Sequence, residues 1–239
     1  MFLQKIKENI RLKFYFDKLS RNSYDGFASL IIHDLFPAGT VLPFTPFSLN
    51  PNTILHIIND INLNSRKKVL EFGSGLSTII MARYIKANNI TCSIYSIEDN
   101  IDWAQFIQEQ LIKFGCEEVV KILVSPLKSN YDNVLWYDES LINSFIRGHR
   151  FDVVVVDGPS AKHDEKIRES SLYQVIDNLD NNFFIVLDDI KRKGESKIYD
   201  NWSHFLKKRD IRFKALKSHG DVYGYFVGGT SFSANPLTH

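Results

Sequence analysis

Residues 69–78 read VLEFGSGLST. An apolar run ends on an acid, Glu71, a Gly-Ser-Gly follows, and a helix-length segment opens at Ser77. That succession reads as strand, tight turn and helix start. Gly73 and Gly75 let the chain turn sharply and let a ligand come close to the backbone. The unpaired amides at the start of the next helix face that ligand. The turn lacks the third glycine of a dinucleotide fingerprint, because Ile79 and Ile80 fill that region, and it lacks the GK[ST] of a phosphate loop. A nucleotide phosphate is therefore not the expected ligand, and a purely structural turn is the plain alternative.

Outward from this turn, short apolar runs alternate with helix-length segments. KKVLEF, CSIYSIE, VVKILVS, FDVVVVD and FFIVLDD read as strands, with helices predicted at residues 77–87, 101–114, 165–179 and 199–208. The near-continuous valines of FDVVVVD suit a parallel strand covered on both faces. Strand–helix alternation predicts a doubly wound α/β sheet. RFKALKS and VYGYFVGG, close together around His219 and Gly220, form a closing hairpin that adds an antiparallel strand, for seven strands in all. Residues 1–62 show no strand alternation. Helices are expected at 3–19, 23–36 and from Pro51 to about residue 61, with the aromatic loop VLPFTPFSLNP between the last two. This gives an N-terminal helical cap over residues 1–62, a catalytic-type domain over 63–230 and a tail over 231–239 expected to fray.

Composition narrows the possibilities. The 239 residues carry 29 Lys plus Arg against 28 Asp plus Glu, a formal charge of +1, so no nucleic-acid partner is expected. Cys92 and Cys116 make neither a disulfide framework nor a metal set, and a reduced cytoplasmic setting is the default. The N-terminal stretch alternates charged and apolar residues, so no signal peptide or membrane span is expected. There is no HExxH, no zinc spacing and no Gly-x-Ser-x-Gly elbow, which leaves Ser74 as a turn serine.

Glu98, 23 residues beyond Gly75, ends the second strand, where a carboxylate can accept both hydrogens of a ribose diol. A solvated strand-end acid is the bland alternative. The combination of Glu71-Phe-Gly-Ser-Gly and Glu98, spanning about residues 67–229, resembles the class I S-adenosylmethionine-dependent methyltransferases. The closing antiparallel strand matches that family too. The resemblance implies S-adenosylmethionine as cofactor. It places Glu71 near the cofactor's amino end and the turn and helix start (Gly73, Ser74, Gly75, Ser77, Thr78) along its methionine part. Glu98 falls at the ribose, Asp99 or Asn100 beside the adenine, and Ser125 at the adenine edge. Trp103 either packs on that ring or belongs to the core.

Asp157 ends FDVVVVD, and Asp188 and Asp189 end FFIVLDD. Three carboxylates in one crevice repel unless a cation or a proton intervenes. The residues alone leave open a divalent metal site, an acid/base site, or a helix cap. These positions resemble the catechol-type O-methyltransferases, whose metal ligands follow the corresponding strands. Here Asp188-Asp189 replaces that group's Asp-Asn, and Lys162 is the candidate for its lysine. VVVVDGP, Arg168 and LDDIKRKGE, with LPFTPFSLNP, SIEDNIDW and LWYDE, resemble the polysaccharide and glycan methyltransferases. That resemblance puts Arg168, Arg192 and Glu195 on the acceptor rim, and Thr45 and Ser48 against cofactor or acceptor.

The resulting expectation is an O-methyltransferase acting on a sugar or glycan. Asp157 is base or metal ligand, shared with Asp188 and Asp189, His163 is reserve base, Arg168 positions the acceptor, and Mg²⁺ or Mn²⁺ is an optional partner. The alternatives are a metal-dependent catechol-type enzyme for small molecules and a non-catalytic member of the fold. Asp-Gly-Pro-Ser where nitrogen methyltransferases carry Asn-Pro-Pro-Tyr argues against DNA methylation.

Overall fold

The first strand, β1 (Lys68–Phe72), lies near the centre of a seven-stranded sheet. The computed structural model describes residues 18–20, 22–129, 134–162 and 164–236. The predicted helix at 3–19 falls almost wholly outside them. Helix α1 covers residues 22–33. α2 (Pro51–Leu63) has Pro51 at its first position, where a missing amide costs nothing. Then follow α3 (Leu76–Ala87), β2 (Ser93–Glu98), α4 (Ile101–Lys113) and β3 (Val120–Val124). A small antiparallel pair, β4 (Leu127–Ser129) and β5 (Leu135–Tyr137), leads into α5 (Glu139–Ile146). The chain continues through β6 (Phe151–Val156), α6 (Ser170–Val175), β7 (Leu179–Asp188), α7 (Lys193–Lys208), β8 (Phe213–Lys217) and β9 (Tyr223–Gly228).

Sheet order is β3-β2-β1-β6-β7-β9-β8. The first five strands in that order are parallel, and β9 and β8 join antiparallel. Strand order reverses between β1 and β6, which opens a crevice at their C-terminal ends.

Side-chain alternation sorts the core into two layers. Val69, Ile94, Val153, Val155, Phe184 and Val186 face α2, α3 and α4. Leu70, Phe72, Ile97, Val154, Val156, Ile185 and Leu187 face α5, α6 and α7. Glu71, Glu98, Asp157 and Asp188 stand on the parity of the first set, so one face of the crevice collects four acids. The N-terminal segment shares the first core: Ile32, Leu49, Ile54, Ile57 and Ile61 are buried in it.

Besides the unforeseen β4–β5 pair, three parts of the chain depart from the sequence expectation. Residues 165–179 form α6 flanked by two 3₁₀ turns, not one helix. α7 starts six residues before the predicted Tyr199. Gly194 lies in its first turn because a Cβ there would stand 2.5 Å from the Glu165 carbonyl oxygen. Tail residues expected to fray are held: Asn59 donates to the Ala234 carbonyl, Tyr225 bonds Asn235, and the Phe232 amide donates to Asn64. No described helix is long and apolar enough to cross a membrane.

Candidate active site

The glycine turn is built by close backbone approach. Gly73 has φ +92, a conformation L side chains rarely adopt, and a Cβ there would lie 2.8 Å from the Gly158 nitrogen. A Cβ on Gly158 would in turn lie 2.6 Å from the Gly73 Cα. The turns after β1 and β6 therefore stack backbone on backbone, and the Phe72 carbonyl accepts from both the Asp157 and Gly158 amides, at 3.1 and 2.7 Å. Gly158, not singled out from the sequence, is as necessary here as Gly73.

Glu71 is fully buried beneath this turn. It accepts from the Ser77 hydroxyl at 2.6 Å, the Thr78 hydroxyl at 2.5 Å and the Ser96 hydroxyl at 2.8 Å. The Thr78 oxygen also accepts from the Gly75 amide. Burial pushes the Glu71 carboxyl up to about 7. The residue expected near a cofactor's amino end thus anchors the start of α3, and Ser77 and Thr78 spend their hydroxyls on it. Ser96, two residues before Glu98 on the same strand face, completes the anchor and was legible only through that spacing.

Glu98 closes the turn from the other side. Its Oε2 accepts from the Ser74 amide at 3.0 Å, and its Oε1 accepts from the Asp99 and Asn100 amides at 3.1 and 3.0 Å. Three of about four acceptor positions are filled, which leaves Oε2 able to take a ligand hydroxyl. Burial raises this carboxyl also to about 7. Asn100 caps α4 by accepting from the Trp103 amide. The Trp103 indole N–H donates to the Ser74 carbonyl at 2.7 Å, while its ring stacks on Phe106 and stays partly exposed. Trp103 therefore neither joins the core nor hangs free, but straps the glycine turn to α4. Ser125 is buried after β3, and its hydroxyl accepts from the Asp138 amide.

The second half of the crevice holds Asp157, Asp188 and Asp189, which bring carboxylate oxygens within 4.8 Å of one another. Asp188 is 6% exposed, and its Oδ1 has no hydrogen-bond partner. Asp189 adopts φ +63 and reaches Arg192 at 2.7 Å. Arg168, expected on an acceptor rim, is 4% exposed. It donates to the Pro159 carbonyl at 3.2 Å, to the Asp157 carbonyl, to Asp157 Oδ1 at 3.3 Å and to Asp189 Oδ2 at 3.4 Å. Its donors lie beneath the cluster and tie the β6 and β7 ends together, so it cannot also hold an acceptor. The tight run from β6 through Pro159 back to the turn before α6 puts it there, which sequence spacing does not reveal. Arg192, 54% exposed, is the rim arginine. Glu195 is buried below, 3.9 Å from Arg168 and 3.7 Å from Arg192.

Four carboxylates against two guanidiniums leave two negative charges. Protons or a cation must balance them. Burial and Asp189 push Asp157 up to about 6 against the pull of Arg168. Burial and the neighbouring aspartates push Asp188 well above the usual carboxylate range. Hard oxygen donors, an orphaned buried oxygen and a deficit of two charges fit a divalent cation.

The aromatic loop meets the segment after β6: Lys162 lies 5.0 Å over the exposed ring of Phe47. Thr45 and Ser48 bond each other across a tight turn, with the Thr45 amide donating to the Ser48 hydroxyl at 3.0 Å. His163, the expected reserve base, lies outside the described residues.

No family model matches the chain, and no curated protein does. Solved structures do match. The crystal structure of a candidate O-methyltransferase from Klebsiella pneumoniae superimposes with a TM-score of 0.56 at 18% identity, over 87% of this chain and 90% of that one. The O-methyltransferase TomG from Streptomyces achromogenes, involved in tomaymycin synthesis and solved with S-adenosylmethionine, gives 0.53 at 15% identity, over 92% and 96%. An O-methyltransferase from Bacillus cereus, in complex with S-adenosylhomocysteine, gives 0.54 at 13% identity, over 87% and 91%. The fold is the Rossmann-like methyltransferase fold. At these identities the likeness speaks for the architecture, and the chemistry rests on the residues.

Proposed function

We propose that this protein is an S-adenosylmethionine-dependent O-methyltransferase acting on a small, hydroxyl-bearing acceptor. The observation that carries the reading is one crevice with two halves. A glycine turn is closed by the β2 acid Glu98, and beside it three strand-end aspartates surround a buried, partnerless oxygen. S-adenosylmethionine supplies an electrophilic methyl carbon on a sulfonium. Glu98 accepts the ribose hydroxyls, while Gly73 and Gly75, held by Glu71 and Trp103, let the methionine part lie against the backbone. Asp99, Asn100 and Ser125 border the adenine.

Transfer needs acceptor oxygen, methyl carbon and sulfur in line, and an oxygen that has lost or is losing its proton. Asp157 takes that proton, and Asp188 holds it in register. Asp157, Asp188 and Asp189 would hold a divalent cation such as Mg²⁺ or Mn²⁺, which supplies Lewis acidity at the acceptor oxygen. Arg168 fixes the carboxylates against one another from below. Phe47 of the aromatic loop and Lys162 of the turn after β6 meet beside it.

A sugar or glycan acceptor bearing a carboxylate would call for free guanidiniums. Arg168 is spent beneath the cluster, so only Arg192 supports that version, and a small neutral hydroxyl compound is the better reading. The test is methyl transfer from labelled cofactor to a panel of phenols, catechols and sugars, with EDTA and with Mg²⁺ or Mn²⁺ restored, in wild type and Asp157→Asn. Transfer to phenolic hydroxyls, lost in the variant, is expected. EDTA sensitivity rescued by metal assigns the cluster to a cation, and EDTA resistance assigns Asp157 as direct base. Full activity of Asp157→Asn would remove the aspartate from the chemistry.

A further inference from the structure

The amino-terminal end of the sheet, opposite the crevice, gathers hydrogen-bond donors without acceptors. Lys68 opens β1, Tyr95 lies in β2, Lys121 in β3, and His149 stands just before β6. Leu70, Tyr95 and Lys121 are Cα partners across the parallel ladder, and Lys68 is two residues before Leu70. Lys68, Tyr95 and Lys121 therefore share one face of the sheet. Lys68 Nζ lies 3.0 Å from His149 Nδ1, His149 Nε2 lies 3.1 Å from the Tyr95 hydroxyl, and Lys121 Nζ lies 3.5 Å from that same hydroxyl.

The chemistry of the partners fixes the direction of this chain. An ammonium only donates, so His149 Nδ1 accepts from Lys68 and the neutral ring carries its proton on Nε2. Nε2 then donates to the Tyr95 oxygen, which also accepts from Lys121. The Tyr95 hydroxyl proton and the remaining ammonium protons find no acceptor among the described residues, and neither lysine makes an ion pair there. Neighbouring acceptors are spent. The Asp152 carboxylate accepts from the Lys67 and Lys68 amides at 2.7 and 2.9 Å, and the Ile146 and His149 carbonyls accept from Asn178. Desolvation, then Lys68 and Lys121, hold the His149 imidazole below its usual range, so the two positive charges are those of the lysines.

Two ammoniums converging on one histidine–tyrosine pair repel each other unless an anion joins them. The place is open to solvent: Lys121 is exposed and Lys68 and His149 are half-buried, above a Tyr95 ring that is buried. A carboxylate brings one charge, whereas a phosphate group brings close to two, with three strong acceptor oxygens. We infer that Lys68 and Lys121 bind a doubly charged oxyanion of the phosphate type, over the His149–Tyr95 pair. This site is separate from the crevice and does not rest on the methyltransferase reading.

Inorganic phosphate is the probe, titrated at about pH 8 and constant ionic strength into wild type, Lys68→Met and Lys121→Met, by calorimetry and by the His149 ring signals in proton NMR. Wild type should bind phosphate with a Kd on the order of 1 mM, as two charge-assisted hydrogen bonds allow. Each methionine variant should weaken that about tenfold or more, and acetate should bind wild type at least about tenfold more weakly. Phosphate should also raise the pH midpoint of the His149 signals in wild type, because an anion beside the ring favours its charged form. Chloride at the same ionic strength should leave that midpoint in place. Equal effects of phosphate and chloride on wild type, the result of screening only, overturn the inference without recourse to the variants. So does phosphate binding that both methionine variants leave unchanged, so does acetate binding as tight as phosphate, and so does no phosphate binding at all.

Discussion

Two carboxylates at the crevice are held by many donors yet titrate high, because burial outweighs their hydrogen bonds. Glu71 ionises near pH 7 in the fold and near 4.5 when unfolded. A raised carboxyl contributes stability that is complete below about pH 4.5 and is lost as pH rises through about 7. Glu71→Gln should flatten that slope, read as melting temperature against pH from 4 to 8. Asp157, held near 6, should give a transfer rate that rises with pH through about 6. Asp157→Asn should lose that limb together with about 100-fold or more of the activity, if proton removal is its task. Glu98→Ala removes an acceptor from three amides and, under the proposed function, from the cofactor's ribose. Cofactor affinity should fall by roughly 1.5–3 kcal/mol, the worth of a hydrogen bond to a charged group. At this scale the sequence singled out the strand-end acids and the paired glycines, which the structure gathers at one crevice. It did not show that Arg168 is buried, because that depends on how a loop folds back under the strands.

The turns after β1 and β6 are the elements on which the site depends, and the glycines in them are not equivalent. Gly73→Ala forces a Cβ into the Gly158 backbone at a positive φ, whereas Gly75 is extended and the nearest atom to its added Cβ is the Ser77 hydroxyl at 3.8 Å. Gly73→Ala should cost about 2–4 kcal/mol in denaturant melts and abolish cofactor binding, and Gly75→Ala should cost about 1 kcal/mol or less. Equal costs would contradict the stacked-turn geometry. All seven sheet strands were readable because apolar runs and period-2 alternation mark them. β4 and β5 escaped because three-residue strands carry too little pattern, and the first turn of α7 escaped because Gly194 and polar neighbours imitate a loop. Gly194 is there for the close approach of Glu165.

The molecule as a whole separates a buried ion-pair anchor at one end of the sheet from the candidate site at the other. Arg66, just before β1, is buried and bonds Asp60 of α2 at 2.5 Å, the Asn182 carbonyl near the start of β7 at 2.8 Å and the Ser231 hydroxyl of the tail at 3.2 Å. Removing one partner of such a pair leaves a buried charge, so Arg66→Met should lower stability by about 3 kcal/mol. Cofactor affinity below the melting temperature should not change, because the crevice lies at the opposite strand ends. The doubly wound order was legible from strand–helix alternation. The docking of the N-terminal segment and tail onto the sheet was not, since their apolar residues show no partner in sequence. The proposed function puts one ligand in the crevice, and the direct test is calorimetric titration of the wild-type protein with S-adenosylmethionine and, separately, with NAD. The account predicts one S-adenosylmethionine bound per chain, weakened by Glu98→Ala, and no heat with NAD. Binding of NAD with none of S-adenosylmethionine would contradict it.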